Sequence, residues 1–432
     1  MKTALLRAGI SLAILAFAAS AASAETIRIA EHRQARIDAL NKVLPAIEKK
    51  LGVTIQVVEY PAPEKDYFSK LLTELGAGNA PDLFTANADS DVPDLVQAGY
   101  AAPITDAVKA WDGYGQLLDV AKRLSTAPDG QMYQLDTMLG VQQLYYRKDL
   151  LDAAGISTAQ PKSWAELMDR IHEIKQKTGK FGLLLPAGES WGGGAFSEAF
   201  SLFIVGSKTP QLIDADGKLD LNGEGVKDVF GIYSTLVNDG LMPIDPLLGP
   251  EPWVIPKYEM FPKGDLIATT CGTWCYIYDW GSQAKIPVPN VTQTVGTWAV
   301  PNEDGSGSTV TVGGQNIWVV NAKSADVEMA KKVLLELGSV DTTVAYSANL
   351  GNIPARKDAA DNADFQKLAE LVPVLKDAEN GTYLKSGPGF TAVSEGVAKA
   401  TEAILRKQTD AAGAQKILVD YVKQVLGDDQ VK

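Results

Sequence analysis

The sequence predicts an α/β fold, and two observations carry that prediction. Short β-branched segments alternate with amphipathic segments along residues 26–85, which is typical of a parallel sheet covered by helices on both faces. The chain has 432 residues, enough for two domains of ordinary size, and no linker is long enough to separate two independent halves. We therefore expect two α/β units that share strands and that the chain crosses more than once.

The individual elements follow from apolar spacing and from turn residues. Apolar side chains recur at helical spacing from Ile37 to Leu51, and Gly52 ends that helix. Residues 163–166 (SWAE) form a capping box that opens a helix reaching Lys177. Further helices are predicted at 66–75, 224–240, 325–337 and 392–405. Strands are predicted at 26–30, 53–58, 82–85, 181–185, 266–270 and 317–320.

The N-terminus has the organisation of a secretory signal peptide. Two basic residues, Lys2 and Arg7, precede an apolar run at 10–22, and small residues then allow cleavage after Ala24. The alternative, a membrane anchor, is disfavoured because the run is shorter than the ~20 residues of a bilayer span. No cysteine follows the cleavage site to carry a lipid. We expect a periplasmic protein that is not inserted in the membrane.

Composition and charge restrict the classes of molecule that the protein can bind. Hydrophobic residues make up 46% of the chain and charged residues 22%, a globular mixture. The formal charge is −13, and removal of Lys2 and Arg7 with the signal takes it to −15. Such an acidic surface repels nucleic acid and anionic lipid. We expect a monomer that binds no nucleic acid.

The cysteines and histidines are too few for most metal sites. Cys271 and Cys275, with His32 and His172, cannot assemble a zinc site of the Cys/His type. The cysteines are four residues apart, so a disulfide requires a coiled chain between them. A disulfide and two free thiols both stay open, and no metal or cofactor is expected.

Short motifs that suggest catalysis lack their partners. Residues 188–192 (GESWG) match the nucleophile elbow, but both histidines precede Ser190, whereas that fold supplies its histidine afterwards. Residues 214–218 (DADGK) begin like a calcium loop but place a lysine at a ligand position, which favours a surface turn. Phosphate-loop and dinucleotide fingerprints are absent from the sequence. Acidic residues are plentiful, so a glycosidase pair stays open, although no pair stands out.

Aromatic and glycine-rich turns lie at the ends of predicted strands. Trp191 precedes three glycines, residues 272–274 (GTW) follow one strand, and residues 313–316 (GGQN) precede another. Ligands of open α/β sheets bind beyond strand ends, and indole faces stack on the apolar faces of sugars. Core packing is the alternative for each tryptophan, and we assign Trp164 to packing because it lies in the first turn of a capped helix.

Short stretches occur in an order that is specific although each is weak alone. They are 78–83 (GNAPDL), 94–100 (DLVQAGY), 144–151 (LYYRKDLL), 154–167, 261–274 and 351–354 (GNIP). Together they resemble the bacterial extracellular solute-binding proteins of sugar ABC transporters, the maltose-binding-like group, over nearly the whole mature chain. The chain departs from the family pattern at Gln134, at Arg147 and at the cysteines that flank 272–274.

The resemblance implies a two-lobed periplasmic-binding-protein fold whose lobes are joined by a hinge of three crossings. We place the crossings near 135–140, 293–299 and 342–352, which gives an N-lobe of 25–137 plus 297–345 and a C-lobe of 138–296 plus 346–432. A sugar, oligosaccharide or sugar derivative would bind between the lobes, and the permease subunits of an ABC transporter would receive it. A receptor for a sensor kinase and, in another class, a secreted glycosidase remain alternatives.

The resemblance and the turns together give a candidate site without catalytic residues. Trp191, Trp253 and Trp274 are the candidates for stacking. The full set expected to bind ligand is His32, Arg33, Gln34, Asn87, Asp89, Asp136, Leu139, Gly140, Trp191, Gly193, Trp253, Gly272, Thr273, Trp274, Gly314, Gln315 and Arg356.

The cationic residues near the candidate site leave the charge of the ligand undecided. The loop after the first strand contributes His32, Arg33 and Arg36, and Arg356 follows the 351–354 turn. Guanidinium groups bind carboxylate or phosphate in a bidentate manner, which would suit an anionic sugar. The alternative is that these groups pair with local acidic residues.

Overall fold

The computed structural model describes most of the chain after the predicted signal. It covers residues 26–62, 64–86, 91–214, 216–282, 284–379 and 381–432. The predicted signal peptide, Asn87 and Asp89 lie outside the described residues. Within these ranges no helix has the length and apolar content needed to cross a membrane.

A mixed β-sheet runs through the molecule in the order β2-β1-β3-β10-β4-β6-β5, and β7 and β11 pair with β4. A separate pair joins β8 to β9. The strands are β1 Thr26–Glu31, β2 Thr54–Glu59, β3 Leu83–Thr85, β4 Gln134–Arg147, β5 Phe181–Leu184, β6 Leu266–Gly272, β7 Val295–Trp298, β8 Val300–Pro301, β9 Ser308–Thr309, β10 Thr311–Val320 and β11 Ile353–Pro354.

The expected parallel pairing holds at the ends of the sheet and fails in its centre. β1 pairs in parallel with β2 and β3, and β5 pairs in parallel with β6. β10 is antiparallel to both β3 and β4, and β4 is antiparallel to β6. Residues 313–316 were predicted as a turn, but they lie within β10. Gly313 pairs with Gly140 of β4, and Gly314 pairs with Leu139.

Helices cover the sheet, and the helices predicted from apolar spacing are confirmed. The α-helices are α1 Gln34–Leu51, α2 Glu64–Ala77, α3 Val92–Gln97, α4 Thr105–Ala110, α5 Asp119–Leu124, α6 Lys148–Ala153, α7 Trp164–Thr178, α8 Ser201–Ile204, α9 Glu224–Asn238, α10 Phe261–Lys263, α11 Val291–Thr294, α12 Val327–Leu337, α13 Val340–Leu350, α14 Val372–Glu379, α15 Phe390–Leu405 and α16 Ala411–Leu426. Short 3₁₀ turns span Asp112–Gln116, Glu189–Trp191, Asp245–Leu248, Lys357–Asp361, Phe365–Lys367 and Asp428–Gln430. π-Helical turns span Phe196–Phe200, Pro256–Met260 and Cys275–Asp279.

The capping box at the start of α7 forms as its sequence indicates. Ser163 Oγ accepts a hydrogen bond from the backbone N–H of Glu166 at 3.2 Å. Trp164 is 6% exposed and packs edge-on against Phe203, with ring centroids 5.8 Å apart, which confirms its packing role. The cap therefore fixes the entry of α7 and directs its first aromatic side chain into the core.

Buried apolar side chains divide into a larger core and a set of smaller ones. The larger core draws on residues 144–300 and 384–431. Two others draw on residues 27–138 and 317–350. A fourth combines residues 118–141 with Val312 and residues 344–378.

Two long strands connect these cores. β4 contributes Leu135 to a smaller core and Leu144 to the larger one, and β10 runs antiparallel beside it along most of its length. Trp298 packs in the larger core, so 293–299 lies within that core instead of forming a crossing. Residues 353–378 pack beside 118–141, and the chain re-enters the larger core only at Leu384.

Candidate functional site

An enclosed cavity lies where the β4–β10 pair meets the larger core. Gln142 of β4 lines it, as do residues 311–315 and Ile317 of β10. The turn at Phe196–Phe200, the residues just before and after it, and the segment before α15 close the other side. Those lining residues are Gly193, Phe196, Ser197, Ser201, Tyr383 and Leu384.

The lining mixes polar and apolar side chains, and none of the lining residues is charged. Its polar side chains are amides and hydroxyls, from Gln142, Gln315, Ser197, Ser201, Thr311 and Tyr383. Amides and hydroxyls both donate and accept hydrogen bonds, whereas a charged side chain does only one of these at neutral pH. The cavity is therefore equipped for a ligand whose own polar groups are also of both kinds.

Three of the expected binding residues line the cavity and three lie beside it. Gly193, Gly314 and Gln315 are in the lining. A Cβ on Gly140 would lie 2.9 Å from Trp274 Cζ3 and 3.1 Å from Gln315 Cγ, so Trp274 reaches the cavity edge through Gly140. A Cβ on Gly272 would overlap the same ring atom, so both glycines leave room for one indole. Trp274 is partly exposed, as a stacking residue at the edge of a site must be.

Trp191 and Trp253 form an aromatic group behind the turn Phe196–Phe200. Their ring centroids are 6.2 Å apart in an edge-to-face arrangement. Lys257 Nζ lies 5.6 Å from the Trp191 ring and 3.0 Å from Glu198 Oε2. The structure brings neither indole into the cavity lining, and their stacking roles stay predictions.

Several expected residues have side chains that the structure directs elsewhere. Leu139 is 0% exposed and packs in the core of residues 118–141 and 344–378, and Thr273 is also 0% exposed. We therefore withdraw direct ligand contact for the Leu139 side chain. Sequence spacing could not show this, because alternate residues of β4 face opposite sides of the sheet.

Arg356 pairs with groups of the protein itself, which is the alternative to ligand binding that the sequence left open for the cationic residues. Its guanidinium donates two hydrogen bonds to the Asp358 carboxylate, at 2.9 and 2.7 Å, and a third to Gly338 O at 2.9 Å. It also lies 5.0 Å from the ring of Trp111. All these partners belong to the fold itself and Arg356 is 6% exposed, so ligand binding by Arg356 is corrected to a structural role.

The residues of the loop after β1 make contacts within their own lobe. The Glu31 carboxylate accepts hydrogen bonds from the backbone N–H groups of His32 and Arg33, at 2.8 and 3.1 Å. The His32 ring stacks on Tyr67 with centroids 4.3 Å apart, and Gln34 donates to Asp38 at 2.8 Å. None of these side chains is among the lining residues of the cavity.

The two cysteines are bonded to each other, which answers the question that the sequence left open. The chain leaves β6 at Gly272 and turns at residues 273–274 before the π-helical turn begins at Cys275, so the segment between the cysteines is coiled as the spacing requires. Among the described residues, Cys271, Cys275 and Asp279 form one group within metal-ligand distance. Because the disulfide uses both sulfurs, this group does not offer thiolate ligands to a metal.

Asp136 is a buried carboxylate in the long strand β4. Its Oδ2 accepts hydrogen bonds from Ser125 Oγ at 2.8 Å and Gln134 Nε2 at 2.9 Å, while Oδ1 has no hydrogen-bond partner among the described residues. Burial raises the pKa of Asp136 from 3.8 to about 6, because desolvation of the charge outweighs the two hydrogen bonds. Asp136 is 0% exposed, so its expected contact with ligand is corrected to a structural role inside β4.

This carboxylate predicts a measurable pH dependence of stability. The pKa of Asp136 is higher in the folded than in the unfolded chain, so its contribution is complete below about pH 4 and is lost as the pH rises to about 6. Over that pH interval the wild type should lose on the order of 2 kcal/mol of unfolding free energy, and Asp136→Asn should not show this loss. Urea unfolding at pH 4.5, 5.5 and 7 measures it, with the exposed Asp420→Asn as control. Parallel pH profiles for wild type and Asp136→Asn would contradict the assignment.

Comparison with known proteins identifies the family. The family model of bacterial extracellular solute-binding proteins matches residues 42–373. The chain belongs to this family. A maltooligosaccharide ABC transporter solute-binding lipoprotein of Streptococcus pneumoniae is 25% identical over 90% of this chain and 86% of its own.

Solved structures of solute-binding proteins share the two-lobed fold. A maltose-bound MalE3 of T. maritima superposes with a TM-score of 0.75 at 20% identity, covering 93% of this chain and all of its own (100%). A solute-binding protein of Agrobacterium radiobacter K84 in complex with ribitol reaches 0.77 at 18% identity, covering 93% of this chain and 98% of its own. The predicted α/β fold with two lobes is thus confirmed.

Some lining residues of this solute-binding protein escaped the sequence reasoning. Gln142 carried only a weak signal, since β4 also contains the amides of Gln134 and Gln143 and the carboxylate of Asp136. Tyr383 and Leu384 carried none, because they lie in an irregular segment that reaches the cavity only through tertiary structure. Ser197 and Ser201 lie four residues apart around a π-helical turn, and only the fold shows which way that turn faces.

Proposed function

We propose that this solute-binding protein is a periplasmic receptor for an uncharged carbohydrate or polyol, which it delivers to the permease of an ABC transporter. The observation that carries the proposal is the uncharged, amide- and hydroxyl-rich lining of the cavity beside the β4–β10 pair. Sugar hydroxyls need partners that both donate and accept hydrogen bonds, and this lining supplies them.

An anionic ligand fits the site less well. A buried anion without a cationic partner loses its hydration at a large cost in free energy. Arg356, the residue that favoured an anionic sugar, is bound to Asp358 and Gly338. Similar proteins support the neutral choice, since one of them was solved with maltose and another with ribitol.

Closure of the lobes would capture the ligand. Outside the hinge, Asp94 of α3 accepts a hydrogen bond of 2.8 Å from the backbone N–H of Gly389, at the start of α15. We assign this contact to the closed form, which the permease would recognise. We place the lobe exchange within β4, within β10 and between residues 378 and 384, where the buried cores change.

We infer that the protein binds its ligand without transforming it. The ring nitrogens of His172 lie 2.8 Å from Met168 O and from Asp239 Oδ2. His32 stacks on Tyr67 in the other lobe. With both histidines engaged in this way, Ser190 has no imidazole base, which a nucleophilic serine requires.

A thermal-shift screen tests the proposed ligand class. Neutral sugars such as maltose and polyols such as ribitol should raise the melting temperature in proportion to affinity and concentration. Gluconate and glucuronate serve as matched acidic ligands. For any neutral compound that binds, small-angle scattering should show compaction. Stabilisation by the acidic compounds alone would contradict the proposal.

A further inference from the structure

The disulfide encloses the turn that carries Trp274. Cys271 lies in β6 and Cys275 opens the π-helical turn, so the bond between them closes a ring around Gly272, Thr273 and Trp274. Disulfides stabilise a fold mainly by closing long loops, and a ring this short restricts the unfolded chain least. The position of this disulfide therefore points to a local role.

Glycines from three elements make the slot in which Trp274 sits. A Cβ on Gly140 of β4 would lie 2.9 Å from Trp274 Cζ3, and a Cβ on Gly272 would overlap the same indole. A Cβ on Gly351, after α13, would lie 2.8 Å from Trp274 Cα. The slot thus joins the hinge strand to the crossover after α13, and Gly140 connects it to Gln315 of the cavity.

Noncovalent support of this turn is incomplete. Thr273 is fully buried, and its Oγ1 has no hydrogen-bond partner. The Asp279 carboxylate, at the end of the π-helical turn, lies 2.8 Å from Cys275 Sγ, and burial raises the pKa of Asp279 to about 6. A π-helical turn is also less favourable than an α-helical one and is typical of functional segments. The disulfide is a covalent restraint on the same turn.

We propose that Cys271 and Cys275 are positioning residues, whose disulfide holds the indole of Trp274 in one orientation at the edge of the ligand cavity. The part of this proposal that concerns ligand affinity rests on the proposed function. The part that concerns the orientation of Trp274 does not, because it follows from the ring and the glycine slot alone. Fixing a side chain before binding removes the entropy cost of ordering it in the complex.

Fluorine NMR of protein labelled with 5-fluorotryptophan tests the orientation directly. The chain has 8 tryptophans, and Trp274→Phe assigns the resonance of Trp274. A phosphine reductant in water converts the disulfide into two thiols and is itself oxidised to the phosphine oxide, so both sulfur atoms remain in the core. We expect the Trp274 resonance to broaden or split on reduction, while that of Trp164 in the same core stays unchanged.

The double variant Cys271→Ala/Cys275→Ala provides a second route to the same state. It should reproduce the spectrum of the reduced protein, since both lack the covalent ring. A Trp274 resonance that stays sharp and unshifted in both samples would overturn the proposal. So would alkylation of both thiols in unreduced protein isolated from the periplasm, because the ring would then not exist.

Affinity for maltose, or for the neutral compound with the largest thermal shift, completes the test. Ordering one side chain accounts for about a fivefold to tenfold loss of affinity on reduction. Unchanged affinity with a mobile Trp274 would overturn its positioning role in binding. A mobile Trp274 in a protein that no sugar stabilises would support the positioning by the disulfide and contradict the proposed function, so the two failures are distinguishable.

Discussion

Replacing Trp274 by alanine is expected to weaken binding of a neutral sugar by about 2–4 kcal/mol, the cost of truncating a central aromatic anchor. The indole lies at the cavity edge, against Gly140 and beside Gln315, where one face can stack on a sugar ring. Isothermal titration calorimetry measures the change. The glycine slot would be left empty, so circular dichroism must show that the variant remains folded.

Two other tryptophans provide the comparison for this variant. Trp253 packs edge-on against Trp191, and Lys257 Nζ lies 5.6 Å from the Trp191 ring. Since neither indole lines the cavity, Trp253→Ala should change affinity by less than about 1 kcal/mol. Equal losses for Trp253→Ala and Trp274→Ala would show that the ligand extends over both aromatic groups. No loss in either variant would remove the aromatic support for a carbohydrate ligand.

Local sequence signals predicted most of the elements because their causes are local. The helix at Gln34–Leu51 follows from apolar spacing and from Gly52, which adopts φ 70° at its C-cap. The capped helix that starts at Trp164 follows from Ser163 and Glu166. These signals involve residues a few positions apart, so no tertiary information was required.

The pairing of β4 with β10 could not be predicted in the same way, because the two strands are far apart in the chain. Thr137 Oγ1 donates a hydrogen bond to Asn316 O, a contact across 179 residues. Glycines near a strand indicate a turn in most sequences, yet Gly313 and Gly314 lie within β10. The small size of Gly314 leaves room for the side chain of Asp136 in β4, which the sequence of β10 alone does not reveal.

The candidate site was predicted only in part, because some of its residues come together from distant parts of the chain. Gly193, Gly314 and Gln315 were found because turns and glycines mark strand ends. Arg356 was assigned to ligand from its place after a family motif, but its partner Asp358 lies only two residues away. A nearby acidic residue pairs with a guanidinium more readily than a ligand does. When only the sequence is known, an acidic residue two positions from an arginine therefore argues against ligand binding by that arginine.

Gly314→Ala is expected to destabilise the folded protein by about 2–4 kcal/mol, through overpacking and the loss of buried hydrogen bonds. A Cβ at this position would overlap Asp136 Oδ1, so the carboxylate would have to move. Moving it breaks the hydrogen bonds from Ser125 and Gln134 and leaves these groups buried without partners. Urea unfolding at pH 7 measures the loss.

The neighbouring glycine supplies a matched control for this steric argument. A Cβ on Gly313 would meet nothing within 4 Å, although Gly313 lies in the same strand. Gly313→Ala should therefore be neutral or stabilise by up to about 1 kcal/mol, because alanine restricts the unfolded chain. In an Asp136→Ala background the space beside Gly314 is vacated, so Gly314→Ala should cost much less there. Equal costs with and without Asp136 would show that the collision is not the cause, and that the hinge needs Gly314 for its backbone alone.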